Sequence, residues 1–188
     1  MCREYFRLTR ESAIHVSNKT ATRETATHWL WLVPPIVMAD QLSKWLIAEY
    51  LALFSRIELL SFFGITRLHN TGAAFSFLAD AGGWQRWFFV LLGAGVTAMI
   101  LVWLRKLPSQ GQGVLAAGLA LVAAGALGNV IDRVRHGYVL DFISVHYGDW
   151  YFPAFNIADI AITIGAGLLI LDAVLEYGHS KAGRSESK

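Results

Sequence analysis

Four long apolar runs constrain this chain more than any other feature of its sequence. They cover residues 29–51, 87–104, 114–134 and 155–175. A helix needs about 20 apolar residues to cross the roughly 30 Å hydrocarbon core of a bilayer, and none of the runs alternates as a strand would. Because a helix satisfies its own backbone hydrogen bonds in lipid, the runs predict four transmembrane helices.

The composition agrees with a membrane domain. Of the 188 residues, 55% are hydrophobic and 16% are charged, whereas about a quarter of the residues in a soluble domain are charged. We therefore predict one membrane all-α domain over residues 29–176. We expect residues 1–28 to be a flexible cytoplasmic extension and residues 177–188 to be a cytoplasmic tail.

The positions of lysine and arginine predict the orientation of the helices. Ten of these residues lie before the first helix, between the second and third, or after the fourth: Arg3, Arg7, Arg10, Lys19, Arg23, Arg105, Lys106, Lys181, Arg184 and Lys188. Short cytoplasmic segments carry an excess of Lys and Arg. Both termini are therefore predicted to be cytoplasmic, and the segment 52–86 is predicted to lie outside.

This outer segment has the pattern of short strands. The stretch IELLSFFGITRLHNTGAAFSFL (57–78) alternates imperfectly and is rich in Ile, Phe and Thr, which favours strands. It predicts a small β-rich element on the outer membrane surface between helices one and two. The stretch YVLDFISVHYGDWYFP (138–153), before helix four, alternates in the same way.

Polar and ionisable residues converge near the same leaflet. A carboxylate at membrane depth costs several kcal/mol, so such groups usually have a function. On the predicted topology, nine of them lie at the outer ends of the helices or in the outer segments: Asp40, Lys44, Asn70, Asn129, Asp132, Arg133, Asp141, Asn156 and Asp159. Their clustering predicts one functional site near the outer leaflet.

Several of these groups also have a purely structural interpretation. Asp40 and Lys44 have the i,i+4 spacing of a pair that neutralises itself on a helix face. Asn156 and Asp159 have the spacing of a capping arrangement at a helix N-terminus. Asp132 is adjacent to an arginine and suits an ordinary interfacial ion pair.

The motifs of several enzyme classes are missing from the sequence. It has no His-Glu-x-x-His motif for zinc, no Gly-x-Ser-x-Gly with a suitable histidine, and no glycine-rich phosphate loop. We expect no metal and no cofactor. Catalysis by carboxylate groups is then the remaining possibility for an enzyme. Two carboxylates held close together share a proton, so that one activates water while the other polarises a carbonyl.

Spacing alone does not choose the carboxylate pair. Asp141, with no basic partner immediately beside it, is either an exposed strand carboxylate or one member of a pair with Asp159. The pair Asp132 and Asp159 fits the predicted topology equally well. Periodicity leaves both pairs open.

Five motifs together carry a resemblance to a known family. They are DQLSK (40–44), HNTGAAFSFL (69–78), GALGNVIDR (125–133), VLDF (139–142) and FNIAD (155–159). In this order over residues 29–176 they resemble lipoprotein signal peptidase, the bacterial signal peptidase II. The resemblance implies an aspartic endopeptidase of the bacterial inner membrane. Such an enzyme removes the signal peptide from diacylglyceryl-modified prolipoproteins by cutting before the lipidated lipobox cysteine.

The resemblance also implies roles for individual residues. The catalytic dyad of the family matches Asp141 and Asp159, and its supporting or substrate-binding positions match Asp40, Asn70, Asn129, Asp132, Arg133 and Asn156. The implied partners are prolipoproteins and membrane lipids, with no nucleic acid, and the implied inhibitor is the cyclic peptide globomycin. We expect a monomer.

Two other functions fit parts of the pattern. Acidic residues in membrane helices also mark proton-coupled transporters, although a relay would need polar groups along the whole depth of the bilayer. A non-enzymatic assembly factor would use the small residues of helix three to pack against a partner.

Overall fold

The computed structural model describes residues 25–72 and 82–185, with side chains as far as residue 178. It contains four α-helices: α1 over Val33–Tyr50, α2 over Trp84–Lys106, α3 over Gly113–His136 and α4 over Ile157–Ser185. The predicted helices are therefore present. Most of the expected tail belongs to α4. Of the expected extension over residues 1–28, residues 1–24 lie outside the described residues, and Ala26, which is buried, already begins a helix.

The first apolar run is divided between two kinds of helix. A 3-10 helix over Ala26–Leu32 leads directly into α1. The division falls where Pro34 and Pro35 occupy the first turn of α1, because proline lacks an N–H and is tolerated only where that N–H has no helical partner. The prediction of a single helix from residue 29 missed this division.

Three of the described helices are long and apolar enough to cross a bilayer, namely α2, α3 and the Ile157–Gly178 part of α4. Helix α1 has 18 residues and carries Asp40, Lys44 and Glu49. The protein is therefore a multi-pass membrane protein with at least three such helices, and the fourth span remains a prediction.

The strands form one antiparallel sheet in the order β1-β2-β3-β4. Strands β1 (Arg56–Leu60) and β2 (Phe63–Asn70) come from the predicted outer segment. Strands β3 (Val139–Tyr147) and β4 (Trp150–Tyr151) come from the connection between α3 and α4. The strand pattern predicted over residues 138–153 is confirmed by β3 and β4. The β-rich element was predicted between helices one and two, and its pairing with these later strands, β2 with β3, was not predicted.

Helix α3 is the centre of the bundle and packs against the other three helices. Its small residues allow the close approach to α4: a Cβ added to Gly118 would lie 3.0 Å from the carbonyl oxygen of Gly165. Gly137, with φ 87°, ends α3 in the left-handed conformation typical of helix C-termini. The chain then turns directly into β3.

The two ends of the bundle are built differently. At one end, the Ala26 amide donates to the Leu107 carbonyl (3.0 Å), which joins the start of the 3-10 helix to the loop between α2 and α3. At the other end, Arg67 of β2 donates to the carbonyl oxygens of Ala48 and Leu51 (both 2.8 Å), at the end of α1. The 3-10 helix and α1 together therefore extend from the α2–α3 loop to the sheet.

Candidate active site

Asp141 lies in β3, where it is 4% exposed. On the neighbouring strand, the Nδ2 of Asn70 donates to its Oδ2 (3.0 Å). The Nδ2 of Asn156, just before α4, donates to its Oδ1 (2.7 Å). The alternative of an exposed strand carboxylate was therefore wrong: this group is buried and receives one amide hydrogen bond on each oxygen.

Asp159 lies in the first turn of α4. Its Oδ1 accepts from the Nδ2 of Asn129 on α3 (2.8 Å). Its Oδ2 accepts from the backbone N–H of Asn156 (3.2 Å), and its own N–H donates to the Oδ1 of Asn156 (3.0 Å). This reciprocal pair is a capping box. The capping interpretation of Asn156 and Asp159 is therefore confirmed.

The same Asn156 side chain links the two aspartates. While its Oδ1 caps α4, its Nδ2 donates to Asp141. Burial, and after it the charge of Asp159, raises the pKa of Asp141 from 3.8 to about 6, against the lowering effect of the amide hydrogen bonds from Asn70 and Asn156. Two carboxyl groups in this relation favour sharing one proton near neutral pH.

Asp132 belongs to a different network. Its Oδ1 accepts from the Nε2 of Gln41 (2.8 Å), and its Oδ2 lies 2.7 Å from the Nζ of Lys44. The expected ion pair of Asp132 with the adjacent arginine was wrong, because its cationic partner comes from α1. Asp132 is neutralised by Lys44, whereas Asp141 accepts from the same Asn156 that caps the helix of Asp159; this difference favours Asp141 over Asp132 as the partner of Asp159.

Asp40 and Lys44 form the predicted i,i+4 ion pair, with 2.8 Å between Nζ and Oδ2. The other oxygen of Asp40, Oδ1, accepts from the backbone N–H of Ala158 in the first turn of α4 (2.9 Å). Asp40 is fully buried. Gly128 leaves room for it, because a Cβ at that position would lie 2.7 Å from the carboxylate.

Arg133 reaches the opposite edge of the site. Its Nη2 donates to the carbonyl oxygen of Gly72, just after β2 (2.6 Å), and its guanidinium lies 4.9 Å from the centre of the Phe89 ring. The segment that follows Gly72 begins at residue 73, outside the described residues. Arg133 therefore holds the end of the strand that carries Asn70.

The structure brings together all eight residues predicted for the site. Sequence reasoning left out Gln41, which donates to Asp132 and, at 3.3 Å, to the Gly128 carbonyl. Nothing in the sequence distinguishes it except its place beside Asp40. Among the described residues, no three His, Cys, Asp or Glu side chains form a group suited to a metal ion.

The buried charges are confined to one end of the bundle. Within residues 25–72 and 82–178, the buried Asp, Lys and Arg side chains are those of Asp40, Lys44, Asp132, Arg133 and Asp141, and all five belong to the networks described above. A proton relay through the bilayer would instead need such groups along its depth. The arrangement suits hydrolysis catalysed by carboxylates better than proton-coupled transport.

Comparison with known proteins gives a consistent result. Residues 32–175 match the family model of signal peptidase (SPase) II. The lipoprotein signal peptidase of Shewanella woodyi is 49% identical over 82% of this chain and 88% of its own, and that of Shewanella loihica is 51% identical over 81% and 89%. The lipoprotein signal peptidase of Alteromonas mediterranea is 48% identical over 80% and 82%.

Solved structures agree with this comparison. One, described as a bacterial membrane enzyme determined by the in meso method at 2.3 Å resolution, superposes with a TM-score of 0.70 at 30% identity. The match covers 82% of this chain and 91% of that chain. A second structure of the same description, at 1.9 Å resolution, gives a TM-score of 0.64 at 30% identity, over 77% and 90% of the two chains.

Proposed function

Because this chain belongs to the signal peptidase II family, we propose that Asp141 and Asp159 are the catalytic pair of its reaction. The family is one of aspartic proteases, and the protein removes signal peptides from prolipoproteins in the bacterial inner membrane. The observation that carries the assignment of the pair is the Asn156 side chain, which caps the helix of Asp159 while donating to Asp141.

In the proposed mechanism the pair holds a single proton. The ionised carboxylate removes a proton from a water molecule, which attacks the scissile carbonyl carbon while the protonated carboxyl donates to the carbonyl oxygen. The tetrahedral intermediate then collapses, the C–N bond breaks, and the amine of the leaving segment takes up a proton from the pair. No covalent enzyme intermediate is required.

The amides that surround the pair support this role. Each carboxylate accepts two N–H hydrogen bonds: Asp141 from Asn70 and Asn156, and Asp159 from Asn129 and the Asn156 backbone. These donors fix the orientation of both carboxylates before substrate binds, and such preorganisation is most effective where water is excluded. Asp40 and Asp132 hold the backbone that carries the pair.

We propose that the bond that is cut precedes the diacylglyceryl-modified cysteine of the prolipoprotein. That cysteine lies at the boundary between lipid and water, which is where a site between helix ends and an interfacial sheet meets it. Arg133 holds the Gly72 carbonyl and so fixes the end of β2, which carries Asn70. The outer segment 52–86 acts as a clamp on the extended chain.

The proposed topology has four spans, both termini in the cytoplasm and the site near the outer leaflet. The 3-10 helix and α1 support the fourth span, because together they run from the α2–α3 loop to the sheet. Two of its three charges, Asp40 and Lys44, neutralise each other inside the bundle. The burial of this ion pair removes it from contact with lipid.

The test is cleavage of a purified diacylglyceryl prolipoprotein in detergent, with mass spectrometry of the product N-terminus. We expect Asp141→Asn and Asp159→Asn each to lower turnover by about 10³-fold or more, because each loses a proton-transfer group. Asp149→Asn, in the exposed turn between β3 and β4, is the matched control and should cleave normally. Full turnover by either dyad variant contradicts the proposal. Asp132→Asn should weaken activity or stability without complete loss.

A further inference from the structure

Lys44 is a buried lysine whose partners come from more than one helix. It is 5% exposed, and its ammonium lies 2.8 Å from Asp40 Oδ2, 2.7 Å from Asp132 Oδ2 and 3.3 Å from Asn129 Oδ1. An ammonium has three N–H donors and no acceptor. All three donors therefore have an acceptor, one on its own helix and two on α3.

Both carboxylates that it joins hold the backbone next to the proposed pair. Asp40 accepts from the N–H of Ala158, which precedes Asp159 (2.9 Å). Asp132 accepts from the N–H of Leu140, which precedes Asp141 (3.4 Å). One ammonium therefore connects the supports of two chain segments, β3 and the start of α4.

The third contact of Lys44 is to the amide oxygen of Asn129, which also accepts from the Nδ2 of Asn156 (3.4 Å). Because the ammonium can only donate, it is met by the Oδ1 of Asn129, and the Nδ2 of Asn129 is left to face Asp159. The flipped amide would present N–H groups to the ammonium and an oxygen to the carboxylate. Lys44 thereby keeps the donor to Asp159 in place.

We infer that Lys44 is a positioning residue for the catalytic pair: its ammonium ties together the two carboxylates that anchor the backbone before Asp141 and Asp159, and it orients the Asn129 amide. The inference rests on the proposed function of the pair. It assigns to Lys44 a part in the reaction that an ion pair on one helix would not have.

The charge of Lys44 also acts on the pair at a distance. The charged groups that face Asp141 are Asp159 from α4, Arg133 from α3 and Lys44 from α1, beside the amides of Asn70 and Asn156. The positive charge of Lys44 lowers the pKa of Asp141. Its removal should therefore raise that pKa further and move the acid limb of the pH–rate profile to higher pH.

The experiment compares Lys44→Met and Lys44→Arg with wild type and with Lys106→Met, which removes an exposed lysine at the far end of α2. The folded fraction, kcat, KM and the pH dependence of kcat/KM are measured on a diacylglyceryl prolipoprotein. For Lys44→Met we expect kcat to fall about 10²-fold, since misplacement of about 1 Å costs this much. KM should change by less than about threefold, and the acid limb should move to higher pH.

Lys44→Arg separates geometry from charge. It keeps the positive charge, so its acid limb should stay at the wild-type pH. A planar guanidinium does not reproduce the three donor directions of an ammonium, so the kcat of Lys44→Arg should fall. If Lys44→Met does not fold, Lys44→Arg alone tests the inference.

Each contrary result has its own meaning. Wild-type kcat in folded Lys44→Arg, or an unmoved acid limb in folded Lys44→Met, overturns the inference for Lys44. If those results occur while Asp141→Asn and Asp159→Asn are inactive, the proposed pair stands and only the role of Lys44 fails. If the two aspartate variants cleave normally, the proposed pair itself fails.

Discussion

At the scale of single residues, the site combines stabilising and destabilising groups. Asn156 serves the fold as a helix cap and serves the pair as a donor to Asp141. Asp141, unlike Asn156, is destabilising when ionised, because burial and the charge of Asp159 disfavour its ionised form. A carboxyl group in this state is useful for proton transfer near neutral pH, and it lowers the stability of the fold that holds it.

This balance predicts how stability depends on pH. The pKa of Asp141 rises from 3.8 to about 6 on folding, so its protonated form is favoured in the folded state. The contribution of Asp141 to the free energy of unfolding is fully present below about pH 4. As the pH rises through about 6, this contribution is lost, and the free energy of unfolding falls by on the order of 3 kcal/mol. Thermal unfolding of wild type and Asp141→Asn between pH 4 and 7.5 checks this. The stability of Asp141→Asn should not show this part of the decline with rising pH. Identical stability profiles of the variant and wild type across this pH range would contradict the prediction.

Sequence reasoning succeeded for residues whose partners are near in the chain. The spacing of Asn156 and Asp159 predicted the capping box, and the spacing of Asp40 and Lys44 predicted their ion pair. It failed for Asp132, whose cation comes from another helix, and it did not single out Gln41. Such contacts depend on how the helices pack, which no local pattern records.

At the scale of elements, the position of Asp159 depends on the close approach of α3 and α4. Gly118 and Gly165 face each other across this contact, and Gly125 packs against the start of α4 at Ala158. The small residues were visible in the sequence, as were the apolar runs that became helices. The pairing of β2 with β3 was not, because the two strands come from connections on either side of α2 and α3.

Two glycines of α4 provide a matched test of this packing. A Cβ on Gly165 would lie 2.7 Å from the Gly118 carbonyl oxygen, whereas one on Gly167 would have nothing within 4 Å. We expect Gly165→Ala to destabilise the protein by about 1–3 kcal/mol, because the added methyl group would force the backbone of α3 away from α4. Gly167→Ala should be neutral or slightly stabilising, since alanine favours helix. Unfolding in detergent and cleavage rates measure both variants, and equal stabilities would show that the α3–α4 contact is not tight.

At the scale of the whole molecule, the proposed function requires a definite orientation. Three described helices meet the requirements for a span, and the 3-10 helix with α1 joins the same two ends of the bundle. Four spans place the sheet and the pair on one side of the membrane and the α2–α3 loop on the other. With three spans, the start of α1 would lie on the same side as the sheet.

Single cysteines distinguish these arrangements. The chain has one native cysteine, so Cys2→Ser provides a background for exposed reporters at His28, Gln110 and Asp149. Spheroplasts are treated with a membrane-impermeant maleimide before and after lysis. We expect Asp149→Cys to react in intact spheroplasts, because it lies beside the outer sheet. Gln110→Cys and His28→Cys should react only after lysis, because they lie at the cytoplasmic end.

The pattern of labelling separates the possible failures. Reaction of His28→Cys from outside, with Gln110→Cys protected, would leave α1 on the outer side and reduce the spans to three. Reaction of Gln110→Cys but not Asp149→Cys would invert the molecule and place the pair at the cytoplasmic leaflet. A translocated prolipoprotein presents its lipidated cysteine at the outer leaflet, so an inverted enzyme could not reach it. Orientation is therefore as necessary to the proposed function as the two carboxylates.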